Sequence, residues 1–123
     1  MRETEVETKV CDHARNLGWD VQKVNTLNDK GRPDRRFSKA GRYFYIEFKA
    51  PGKPLRKLQE HRIGEMTDNG DTVYVIDDID AGRRVVTLET DKLSSQADQK
   101  DKDFPLRKAE VLNLGPDDRL VLT

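Results

Sequence analysis

The chain reads as one α/β domain, a mixed β-sheet core flanked by helices in the order αβββαβ. Three observations predict it. Apolar residues recur at helical spacing in two segments, 3–17 and 56–68. Between and after them lie short runs rich in β-branched and aromatic residues, above all Tyr43-Phe44-Tyr45-Ile46-Glu47-Phe48. Glycine and proline punctuate these runs at Gly18, Gly31, Pro33, Gly41, Pro51, Gly52, Pro54 and Gly70. Such alternation calls for a mixed sheet with helices packed on it. At 123 residues there is room for one core and not for two.

Taken in order, residues 3–17 form a helix whose stripe is Val6, Val10, Ala14 and Leu17, stopped at Gly18. Residues 19–26 form a first strand, followed by a loop over 28–33. A short strand over 34–38 turns through Lys39-Ala40-Gly41 into the strand of 42–49, making a hairpin. A second helix, 56–68, has Leu58, Ile63 and Met66 as its expected buried positions. Thr72 to Ile76 is a short apolar strand, and Arg84 to Leu88 reads as another beyond an acidic turn at 77–82. The core is expected over 1–90. The segment 91–103 reads as a polar linker, and 106–114 and 120–122 as a small element docking on the core or on a second subunit.

Composition narrows the function classes. With 34% hydrophobic and 37% charged residues the chain is polar, yet its apolar residues are concentrated enough to build a core. Its net charge is zero, so bulk charge announces no nucleic-acid partner. The distribution says more: from Lys30 to Arg62 basic residues outnumber Asp34, Glu47 and Glu60 several-fold. The single cysteine, Cys11, excludes an internal disulfide and a multi-cysteine zinc site, and two histidines argue against a histidine-rich one. No apolar run is long enough for a signal peptide or a membrane span, so a soluble, cytoplasmic protein with no membrane partner is expected.

The chemistry lies in Pro33-Asp34 and Glu47-Phe48-Lys49. Side chains alternate along a strand, so Glu47 and Lys49 share one face while Phe44, Ile46 and Phe48 bury the other. Asp34 follows a Gly-Arg-Pro turn. Two carboxylates converging on one point repel, and a hard divalent cation relieves that repulsion through oxygen ligands. A lysine beside them positions or deprotonates a water. The plain alternative is an exposed surface pair worth well under about 1 kcal/mol.

These motifs, in this order, resemble the PD-(D/E)xK nuclease superfamily. Within it the chain is similar to the VRR-NUC group, especially the small stand-alone proteins of phages and bacteria. Met1-Arg2-Glu3-Thr4-Glu5-Val6-Glu7 looks like the acidic helix opening of that group, and Glu47-Phe48-Lys49-Ala50-Pro51-Gly52-Lys53 like its strand end. Leu58-Gln59 stands where the family has a motif glutamine. The resemblance covers about residues 1–80 and implies a restriction-endonuclease-like core. It implies Mg²⁺ or Mn²⁺ held by Asp34, Glu47 and the backbone carbonyl of Phe48. Lys49 would orient the attacking water or stabilise charge on the phosphate, and Gln59 would hold Lys49, a water or a phosphate. An acid from the first helix is implied as well; Glu3 and Glu7 lie four apart on one face, and Glu7, nearer the expected sheet, is favoured. The product would carry a 5′ phosphate.

Arg35, Arg36, Lys53, Arg56 and Lys57 are candidates to hold the DNA backbone. Stand-alone members resemble Holliday-junction resolvases, which implies a homodimer acting on branched DNA, such as a four-way junction, in a bacterial or phage-infected cell. The competing expectations are a nuclease for flap, nicked or linear DNA, a non-catalytic DNA-binding module of the same fold, and a small ferredoxin-like or other α/β binding domain.

Overall fold

The computed structural model describes residues 1–24 and 30–99, the last four of these by their backbone alone. Its elements are α1 (Glu3–Asn16), β1 (Asp20–Lys23), β2 (Arg35–Lys39), β3 (Arg42–Phe48), α2 (Lys57–Asp68), β4 (Val73–Ile76) and α3 (Ile79–Gln99). The expected order αβββαβ is present, with α3 added at its end. The sheet runs β1-β2-β3-β4. β1, β2 and β3 pair antiparallel, and β3 pairs parallel with β4 across the α2 crossover. The expected strand residues Asn25 and Thr26, the loop residues Asn28 and Asp29, and the elements expected at 106–114 and 120–122 lie outside the described residues. Among the described residues no helix is long and apolar enough to cross a membrane.

Local chemistry sets the element ends. At the start of α1 the Glu5 carboxylate accepts the Arg2 N–H at 3.1 Å, satisfying one donor that the helix itself leaves unpaired. At its end the chain reverses through Gly18 at φ 93°, and Lys39 Nζ donates to the Leu17 carbonyl at 2.6 Å. The β2–β3 hairpin closes over two residues, Ala40 and Gly41, at φ 51° and 85°. Positive φ at both positions matches the right-handed twist of the paired strands.

The sheet separates two apolar layers. On one face Phe37, Phe44, Ile46, Phe48 and Tyr74 pack against Val6, Val10 and Ala14 of α1 and Val85 and Val86 of α3. Phe44 is stacked on Phe37 at 4.9 Å and meets Trp19 edge-on at 5.0 Å. α1 and α3 approach closely at Gly82, where an added Cβ would stand 2.4 Å from Val10 Cγ2. On the other face α2 sets Ile63 and Met66 over Val73, with Tyr45, Leu55 and Val75 around them.

Four expectations are corrected. The strand expected at Arg84 to Leu88 is the middle of α3: a short apolar run is ambiguous in period, and here the buried positions are Ala81, Val85 and Glu89 with Gly82 and Val86, which is helical spacing. The acidic turn before it is the helix start, with Asp78 Oδ2 accepting the Ala81 N–H at 2.9 Å. The polar linker expected from 91 is helical through Gln99, crossing residue 90 without a break. Leu93 packs on the core and Thr90 Oγ1 accepts the Trp19 indole N–H at 2.9 Å. Leu58 is 46% exposed rather than buried; it sits off the Ile63–Met66 stripe, and Leu55 fills the space beside that stripe instead.

Candidate active site

The antiparallel register sets Arg35 opposite Ile46. One step further along, Asp34 falls opposite Glu47, on the face that also carries Tyr45 and Lys49. Asp34 is anchored there: its Oδ2 accepts the Phe48 N–H at 2.8 Å. Glu47 is buried to 3% exposure and Lys49 to 8%, which overturns the alternative of an exposed surface pair. The Lys49 N–H donates to the Ile76 carbonyl at 2.9 Å, so the lysine backbone is tied to the end of β4.

Gln59 joins α2 to this pair. The Arg56 N–H can only donate, so it takes Gln59 Oε1 at 2.9 Å, and the amide nitrogen is left facing the acid. Gln59 Nε2 donates to Glu47 Oε2 at 2.8 Å. The other oxygen, Glu47 Oε1, is buried with no hydrogen-bond partner. A buried carboxylate oxygen without a partner is rare and costly.

The electrostatics agree with that geometry. Burial, and then the charge of Asp34, push the Glu47 carboxyl up to about 8, against the pull of Lys49. Burial pushes Asp34 up to about 6; the Phe48 N–H and Lys49 pull it down, while Glu7 and Glu3 push it further up. Both carboxyls are thus held above their ordinary range, burial being the larger cause for each.

The structure brings Asp34, Glu47, Lys49 and Gln59 together. Phe48 has its N–H toward Asp34, and in an extended strand the C=O of a residue faces the same edge, so that carbonyl is available on the Asp34 side. Glu7 is placed differently: its Oε2 accepts from Arg35 Nε at 2.6 Å, on the α1 side of the sheet. Glu7 and Glu3 both bear on Asp34, and Glu3 on Glu47 as well. Arg35 is therefore engaged with Glu7, whereas Arg36, Lys53, Arg56 and Lys57 are exposed.

Two contacts escaped the sequence reading. In the Arg35–Glu7 pair, parity gives the face of Arg35, which it shares with Ile46, but its partner comes from the docking of α1. The grip of Asp77 Oδ2 on the Gly52 N–H at 3.0 Å, which holds the loop after β3, depends on the parallel pairing of β3 with β4 and has no local signal.

Among the described residues no group of three or more His, Cys, Asp or Glu side chains forms a metal cage. The donor set is two carboxylates and a carbonyl, all hard oxygens, and it fits Mg²⁺ or Mn²⁺ with water completing the shell. No family model matches the chain, and no curated protein matches it.

Proposed function

We propose that the chain is a divalent-metal-dependent DNA endonuclease with a restriction-endonuclease-like core. The observation that carries this reading is Glu47 Oε1, buried and unpartnered beside Asp34 and Lys49. Asp34, Glu47 and the Phe48 carbonyl would hold Mg²⁺ or Mn²⁺, which when bound polarises a phosphoryl oxygen and lowers the pKa of a water.

The remaining work falls to the chain. Gln59 fixes the rotamer of Glu47 through its bond to Oε2, so the free oxygen keeps one direction. Lys49, on the same face, orients the attacking water and offsets negative charge on the phosphate. Arg36, Lys53, Arg56 and Lys57 hold the strand by its phosphates, a contact that weakens with salt. Glu7 acts on Asp34 through its charge while paired with Arg35. Preference for a branched substrate such as a four-way junction, and a two-fold dimer to nick it symmetrically, rest on the family resemblance.

Calorimetric titration with Mn²⁺, followed by a cleavage panel of linear, flap and four-way DNA in Mg²⁺, tests the proposal. Wild-type protein is expected to bind Mn²⁺ and to cut at least one substrate, and Glu47→Gln and Asp34→Asn to lose both. Metal binding that survives both substitutions, or a panel left uncut, would remove the nuclease reading. Paired symmetric nicks across a four-way junction would support the resolvase form, and their absence would sink it.

A further inference from the structure

Among the described residues the helices cover the sheet unequally: α1 and α3 close one face, while α2 alone lies on the other, over β3 and β4. Alternation then determines what the uncovered half of that second face presents. Register pairs Gln22 with Arg36, Arg36 with Tyr45, and Ser38 with Tyr43, so these side chains share the face of Asp34 and Glu47. Gln22 and Arg36 are exposed, and Tyr43 is 42% exposed.

The centre of this surface is built rather than loose. The Arg36 guanidinium lies over the Tyr43 ring, 4.8 Å from its centroid. Tyr45 meets Tyr43 edge-on at 5.9 Å, and the Tyr43 hydroxyl donates to Asp71 Oδ1 at 3.2 Å. The ring thus has partners on three sides. Arg36 stands two residues from Asp34 along β2, about 7 Å, so the floor runs directly into the candidate site. Two acids bound its far side, Asp20 bonded to Gln22 and Asp71 bonded to Tyr43, and Arg36 sets a positive charge between them and the site.

We propose that this open half-face is a stacking floor for unpaired nucleotides of the strand being cut, with Tyr43 and Arg36 as its two planes. The inference rests on the nuclease reading and narrows its substrate to DNA with a single-stranded segment beside the scissile bond. An aromatic ring with a guanidinium stacked over it offers flat outer faces that suit any base, since every base has a π-face. Neither reads sequence. A base pair keeps both faces of each base stacked within the helix and cannot use them.

The test is binding of a labelled single-stranded oligonucleotide and of a blunt duplex of the same sequence, by fluorescence anisotropy with Ca²⁺ in place of Mg²⁺. Tyr43→Leu is expected to weaken single-strand binding about tenfold and duplex binding less than about twofold, with Tyr43→Phe close to wild type on both. Arg36→Gln should weaken both, the single strand more. Equal losses on the two DNAs for Tyr43→Leu, no loss on either, or no single-strand binding by the wild type would overturn the floor. The two readings separate cleanly. An uncut panel with Tyr43-dependent binding intact removes only the nuclease. Cleavage intact with Tyr43→Leu binding like wild type removes only the floor.

Discussion

Gln59 donates to Glu47 across 2.8 Å while its carbonyl oxygen caps the first turn of α2 at Arg56, so one amide both starts a helix and aims an acid. Replacing it separates these roles. Gln59→Ala is expected to cost about 1 kcal/mol of stability in urea unfolding, from the lost cap and the bond to a buried carboxylate. It should also weaken Mn²⁺ binding about 10- to 100-fold, because the partner of a ligand orients it. Unchanged Mn²⁺ affinity would show that Gln59 serves only the helix.

The metal-free protein should lose stability as pH rises. Glu47 is raised from 4.5 to about 8, by burial first, and Asp34 from 3.8 to about 6, also by burial first. Both carboxyls therefore hold their protons more tightly folded than unfolded. The stability this contributes is complete below about pH 4 and is lost as pH climbs through about 6 and about 8. Urea unfolding in EDTA should show a fall on the order of 2 kcal/mol between about pH 5 and about pH 8.5, shrinking in Glu47→Gln and with added Mn²⁺. A flat or rising profile would contradict the burial of Glu47.

Glu89 is a fully buried carboxylate on α3, and it is satisfied: Arg42 Nε donates to it at 2.6 Å and the Tyr74 hydroxyl at 2.5 Å. Removing it leaves the part-buried Arg42 charge and the buried Tyr74 hydroxyl without their acceptor. Glu89→Ala should cost about 3–5 kcal/mol by thermal or urea unfolding. The fuller lesion exceeds that of Glu89→Gln, which keeps an acceptor for one partner. Equal stability of Glu89→Ala and wild type would mean that α3 is not held by this network.

Gly82 sits where α1 and α3 touch. In Gly82→Ala the new methyl would run into both methyls of Val10 and crowd Ile76 Cγ2 at 3.2 Å, so Val10 or the helix carrying it must shift. Overpacking of this kind costs about 1–3 kcal/mol, against the gain of about 1 kcal/mol that alanine ordinarily brings to a helix interior. A net loss is expected in chemical denaturation. A gain would place the two helices further apart than described.

Much of this was legible beforehand for physical reasons. The hairpin announced itself through period-two alternation and an Ala-Gly turn, and α1 through the Val6-Val10-Ala14 stripe. Asp34, Glu47 and Lys49 could be assigned to one place because strand parity is a local property. The segment 84–88 was misread for an equally local reason: two adjacent valines satisfy either period, and only the burial of Ala81 and Glu89 on either side selects the helix.

The sequence by itself determined the order αβββαβ, the faces of β3 and the residue types that converge at its end, since all of these follow from spacing along the chain. Tertiary structure alone decided the rest. It buried Glu47 and left one of its oxygens without a partner, which requires α2 to arrive over β3 from outside the motif. It turned Glu7 toward Arg35, because α1 packs on the sheet face that carries Arg35. And among the described residues it placed two helices on one face against one on the other, leaving Tyr43 exposed on the second. Those outcomes depend on which elements pack against which, a relation between distant residues that no local pattern encodes.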